Sequence, residues 1–169
     1  MNARRQPLES VRVLLVEDNA LVREVIERLL AGFGSHVTAV AGAAEALEAM
    51  RWASPDVLIS GIAMPEEDGC SLIRKIRMLP SNRGGSIPAV CLTGRNAPGD
   101  EARALRAGFQ RFLAKPVDAR RLVTMVADLA GEAARRSSGA TPGSRAGIPA
   151  ASLGRGAAAD VRQQREEAR

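Results

Sequence analysis

Aromatic side chains are nearly absent, making up 2% of the 169 residues, with three Phe, one Trp and no Tyr. A chain so poor in rings lacks the stacking platforms that single-strand nucleic-acid binders use. Its core must be built from Val, Ile, Leu and Ala. Cysteine is equally scarce. Cys70 and Cys91 are the two present. They lack the spacing of zinc ligands or of a disulfide framework, so both read as small core residues. His36 is the lone histidine and reads as a surface residue at the start of a strand. No apolar run approaches the roughly 20 residues needed to cross a bilayer. The run at residues 11–16 is short and contains Arg12, and no apolar core follows Arg4 and Arg5. A signal peptide is therefore not expected, and a cytoplasmic location is.

The net charge of +5 would ordinarily suggest nucleic acid. Residues 131–169 weaken that reading, because they hold 7 Arg against 4 Asp and Glu and so carry much of the excess. This segment is rich in Ala, Gly, Ser and Arg, and Ile148, Leu153 and Val161 are its branched aliphatics. It cannot bury enough surface to offset its ordering entropy, and it reads as a disordered tail. Binding of the tail to nucleic acid or to an anionic membrane is a minor alternative, and a nucleic-acid partner is not expected.

What is present alternates between short aliphatic runs and helical periodicity. Residues 11–16, 36–40, 57–60 and 88–92 read as strands, and 109–114 contains a short fifth. Between them, Leu21, Val22, Val25, Ile26, Leu29 and Leu30 recur at helical spacing after the N-cap candidate Asn19. Residues 42–52, closed by Trp52, form a second helix. Leu72, Ile73, Ile76 and Leu79 mark a third, with Asp68 as its cap. A fourth begins near Pro98 and ends around Gly108. A last one follows Asp118 and carries Leu122, Val123, Val126 and Leu129. This pattern predicts a doubly wound α/β fold, a five-stranded parallel sheet with helices on both faces. Such a sheet places its site at the carboxyl ends of the strands.

Those ends carry chemistry. Glu17 and Asp18 follow the first strand. Adjacent carboxylates there suit a hard cation such as Mg²⁺, or else simply favour a helix N-terminus. They would repel a bare phosphate, which argues against a flavin site. Thr93 follows the fourth strand and Lys115 the fifth, a hydroxyl and an ammonium suited to phosphoryl oxygens. Lys115 has a second reading as a structural partner of Asp18. Pro116 makes the next peptide bond a cis candidate.

Over about residues 10–130 the chain resembles the receiver domain of two-component response regulators. The resemblance rests on Val-Glu-Asp-Asn at 16–19, Pro-Asp-Val-Leu-Ile at 55–59, Met-Pro at 64–65 and Asp-Gly at 68–69. Leu-Thr at 92–93, Ala-Gly-Phe at 107–109 and Lys-Pro at 115–116 complete it in order. It implies a flavodoxin-like sheet with strand order 2-1-3-4-5 and a signalling module in a phosphorelay rather than an enzyme. It further implies Mg²⁺ on Glu17 and Asp18, a histidine kinase or other signalling protein as partner, Thr93 and Lys115 as phosphoryl sensors, and Phe112 as the switch aromatic. Residues 1–9 are then a leader, 10–130 the domain and 131–169 the tail. Contacts, including a homodimer, would use the fourth helix, fifth strand and fifth helix. The tail is too short and polar for a helix-turn-helix, so the module acts alone or belongs to a longer kinase chain.

One departure is decisive. The family's phosphoacceptor Asp lies four residues before the Met-Pro proline and six after that of Pro-Asp. Counting from Pro65 and from Pro55 reaches the same position, Gly61. Asp56 starts the same strand, roughly 16 Å away at about 3.3 Å per residue, and is out of reach. Ser60 points to the other face, and neither Glu66 nor Glu67 is placed for in-line attack. The expectation is a receiver with a weakened Mg²⁺ site and a fixed state. Phosphorylation at a substitute residue is the alternative.

Overall fold

The computed structural model describes residues 6–94 and 99–138. Five strands, β1 (Arg12–Val16), β2 (His36–Val40), β3 (Val57–Gly61), β4 (Ala89–Thr93) and β5 (Arg111–Ala114), form one parallel sheet. Its order is β2-β1-β3-β4-β5. The helices are α1 (Ala20–Gly32), α2 (Ala43–Trp52), α3 (Gly69–Arg77), α4 (Asp100–Ala107) and α5 (Ala119–Ser138). A 3₁₀ turn, Ser81–Arg83, lies between α3 and β4.

Strand alternation sorts the side chains onto two cores. Leu14, Val16, Leu58, Cys91 and Phe112 face α2, α3 and α4. Val13, Leu15, Ile59, Val90, Leu92 and Leu113 face α1 and α5. The central strands β3 and β4 are buried along their whole length, whereas the edge strands β2 and β5 are only partly covered. That is why the middle strands read as unbroken aliphatic runs. His36 is exposed at the start of edge strand β2. Cys70 and Cys91 are buried and free, and burial pushes both thiols up from their ordinary range.

Helix starts follow local chemistry. The Asn19 side chain accepts from the Leu21 and Val22 N–H groups at 3.1 Å each, satisfying donors that the first turn of α1 leaves open. Asp68 does the same for α3 through Ser71 N–H at 2.7 Å, and Asp118 for α5 through Arg121 N–H at 2.7 Å.

Several boundaries differ from the sequence expectation. Residues 6–9 of the segment read as a leader are part of the domain, because Leu8 is fully buried in the α1–α5 core and its N–H bonds to Phe33 O at 3.0 Å. Gln6 and Glu9 pack over Gly34, a fit that hydropathy periodicity does not register. At the other end, α5 continues eight residues past 130, through Ser138. Its last turns lie beside the base of the domain, where Ala130 and Ala133 remain half-covered, so they belong to the fold rather than the tail. The rest of the expected tail, 139–169, lies outside the described residues. So does Pro98, and α4 begins at Asp100 after Gly99. Trp52 does not close α2 against its neighbours; its side chain is 66% exposed.

Candidate functional site

The carboxyl ends of β1, β3 and β5 meet around one buried carboxylate. Glu17 follows β1 and is fully buried. Its Oε2 accepts from Lys115 Nζ at 2.6 Å, and its Oε1 from Asn19 N–H at 3.3 Å. The ammonium comes from the far edge of the sheet. β1 and β5 are separated by β3 and β4, about 14 Å at ordinary strand spacing. The Lys115 side chain therefore reaches across the ends of both. Position 61 lies beside the pair, since a Cβ added to Gly61 would stand 3.4 Å from Glu17 Oε2.

Nothing in the backbone demands glycine there. Gly61 is not among the positive-φ glycines, and its hypothetical Cβ meets only ordinary van der Waals contacts, the others being Met64 Cγ at 3.7 Å and Val16 O at 3.8 Å. The position can carry a side chain and has none. Gly69 is the opposite case. A Cβ on it would come within 2.1 Å of the Gly61 carbonyl oxygen, so the start of α3 sits directly on the end of β3.

The other sequence candidates fall into place around this core. The Asp18 side chain is exposed and makes no ion pair among the described residues, so Lys115 pairs with Glu17 alone and does not neutralise both acids. Thr93 ends β4 and is buried; strand alternation puts it on the side of Cys91 and Phe112 rather than that of Glu17. Phe112 is half-buried against the α2–α4 core. The Lys115–Pro116 peptide bond is cis.

Of the substitute candidates, Ser60, Glu67 and Asp56 are engaged elsewhere. Ser60 Oγ is buried on the α2–α4 side and donates to Gly61 O at 3.0 Å. Glu67 pairs with Lys75 at 2.7 Å, facing α3. Glu66 is exposed, with a left-handed φ of 66°. Asp56 is held at the opposite end of the sheet by Arg12, at 2.9 Å.

Two residues escaped the sequence reading. Arg23 Nη1 donates to Glu17 O at 2.6 Å and to Asp18 O at 3.2 Å, fastening the acidic turn from outside. Helical side chains lean toward the N-terminus, so a cation in the first turn after an acidic loop is the signal that finds it. Arg103 of α4 pairs with Asp68, the cap of α3. Burial pushes the Asp68 carboxyl up, but hydrogen bonding from Ser71 and the charge of Arg103 outweigh it, and the group titrates below its ordinary range.

A Mg²⁺ site of the receiver type needs several converging oxygens. Both Glu17 oxygens are already engaged, residue 61 contributes no side chain, and no group of three His, Cys, Asp or Glu able to hold a metal occurs among the described residues. These residues do not fit a tight Mg²⁺ site.

Comparison with known proteins agrees with the fold and the order of motifs. A family model described as the response regulator receiver domain matches residues 13–127. The chain is 38% identical over 121 residues to an uncharacterized 14.6 kDa protein in the sodA1 3′ region of Leptolyngbya boryana, covering 72% of this chain and 91% of that protein. It is 35% identical over 122 residues to the Regulator of RpoS of Escherichia coli (strain K12), covering 72% of this chain and only 35% of that protein. Among solved structures, it is similar to the receiver domain of sensor histidine kinase PA1611 from Pseudomonas aeruginosa PAO1, which has a magnesium ion coordinated in its active site cleft. That likeness has a TM-score of 0.66 at 32% identity and covers 72% of this chain and 98% of that one. With the 2-1-3-4-5 parallel sheet, the ordered strand-end motifs and the family match over most of its length, the chain belongs to the response regulator receiver domain family.

Proposed function

We propose that this chain is a receiver module of two-component signalling that works by protein contact and takes no phosphoryl group at position 61. The observation that carries the reading is the Lys115–Glu17 pair beside a glycine that the backbone does not require. In this state Lys115 supplies the positive charge that balances Glu17, and Mg²⁺ binds weakly because it must compete with that ammonium. The module has no catalytic residue of its own.

The contact surface for a histidine kinase or other signalling protein, or for a second copy, is the face made by α4, β5 and α5. Support for this comes from β5 being an edge strand and from Leu105 on α4 being 45% exposed. A cytoplasmic setting follows from partners of this kind. No helix among the described residues is long and apolar enough to cross a membrane.

The test is incubation with acetyl phosphate and Mg²⁺, followed by intact-mass measurement. The expected result is no mass change in the natural chain and addition of one phosphoryl group in Gly61→Asp, whose Cβ the site accommodates. A phosphoryl adduct on the natural chain that disappears in Ser60→Ala, Glu66→Gln or Glu67→Gln would replace this reading with phosphorylation at a substitute residue.

A further inference from the structure

The base of the domain, at the amino ends of the strands, holds a feature that signalling through the site at residue 61 does not use. A cleft of about 1000 Å³ opens between α2, the 3₁₀ turn and the last turns of α5. Four guanidinium groups line it, those of Arg12, Arg51, Arg83 and Arg136. Two are matched, Arg12 by Asp56 at 2.9 Å and Arg51 by Glu48 at 3.3 Å. Arg83 and Arg136 make no ion pair or side-chain hydrogen bond among the described residues. The carboxyl ends of α2, α3 and α5 lie at this end of the molecule, but each carries only about half a negative charge, and the three together do not balance two free guanidinium groups.

Part of the lining is aliphatic and includes Leu47, Leu79 and Ile87, with Leu47 one helical turn before Arg51 on the same face of α2. Two of the largest exposed apolar side chains adjoin it in the chain. Trp52 follows the lining residue Arg51 and is 66% exposed, and Met78 precedes the lining residue Leu79 and is 78% exposed. Trp, Met and Arg are the residue types concentrated in protein interfaces.

We infer that this basal cleft is a docking surface for an acidic, partly apolar segment of a partner protein. The surplus positive charge selects carboxylates, and the aliphatic lining selects their apolar neighbours. A small phosphate-bearing ligand would use the arginines but leave Leu47, Leu79 and Ile87 idle. The surface lies roughly 16 Å from the Glu17 end of β1, the length of that strand at about 3.3 Å per residue, and is independent of what happens at position 61.

Trp52 is the single tryptophan of the chain and so reports on its own neighbourhood. The experiment titrates the full chain with short peptides in which glutamate alternates with leucine and follows tryptophan emission. The expected result is a saturable change that weakens with added salt. Affinity should fall about ten-fold, or roughly 1.4 kcal/mol, in the double variant Arg83→Glu, Arg136→Glu. Both positions are exposed, and an unchanged circular dichroism spectrum confirms that the variant folds. The salt titration on the natural chain tests the charge requirement without any variant. Absence of a saturable change, salt-independent binding, or equal affinity in a folded double variant overturns the inference. Equally tight binding of inorganic triphosphate, or of a lysine–leucine peptide, overturns it as well.

Discussion

Each end of the sheet carries an ion pair between the first strand and a distant part of the chain, and the two differ in their solvent. At the carboxyl end, Glu17 is paired with Lys115 while its side chain is only 1% exposed. At the amino end, Arg12 and Asp56 pair in water, with side chains 49% and 35% exposed. The basal pair has the richer geometry, since Asp56 also accepts from Arg12 Nε and from Arg12 N–H. Geometry does not decide the energetics here; burial does. A surface pair gains about what it loses in side-chain entropy and screening. A buried carboxylate without its cation is left with most of its desolvation cost.

Substitutions at the two ends sharpen this contrast. Lys115→Ala strands the Glu17 carboxylate and should cost about 3 kcal/mol in urea unfolding. The double variant Lys115→Met, Glu17→Leu should recover most of that, because it removes the charge instead of its partner. A Lys115→Ala loss no larger than that of Arg12→Ala would break the comparison. Gly69→Ala comes next, at about 2 kcal/mol, because its Cβ must displace the Gly61 carbonyl, a backbone atom that cannot swing aside. Arg12→Ala should cost about 0.5 kcal/mol by the same measurement. Gly61→Ala has an effect as small as that of Arg12→Ala and of the opposite sign. It should stabilise by about 0.5 kcal/mol, since the backbone accepts a side chain there and the unfolded chain loses freedom. A destabilised Gly61→Ala would mean that the glycine serves the fold.

The parallel sheet was legible because its strands are aliphatic runs separated by capped helices, its strand order only through the family resemblance, and Asn19, Asp68 and Asp118 mark three helix starts by local chemistry alone. The glycine at position 61 was legible by counting from two fixed prolines. Contacts between remote parts of the chain were not. Leu8 lies in a short polar stretch, and only its seat beneath Phe33 makes it core. The choice of Glu17 over Asp18 as the partner of Lys115 depends on which acid turns inward at the end of β1. The helical reach of α5 past residue 130 was hidden by the Ala- and Arg-rich composition it shares with the segment that follows. Thr93 and Lys115 were placed together on chain order, but alternation separates the faces they leave from.

Asp68 has a consequence for motion. One of its oxygens, Oδ1, holds the first turn of α3, and the other, Oδ2, holds Arg103 on α4. The two helices thus share a single fastening. Any swing of α4 that pulls Arg103 away also releases the charge that helps hold this carboxyl ionised. As pH falls through its lowered titration range, protonation slackens both attachments at once. The Arg103 and Asp68 side chains are 48% and 32% exposed, so this link is as light as the Arg12–Asp56 pair, and a partner that draws α4 away breaks it at little cost while Ser71 still holds the α3 cap.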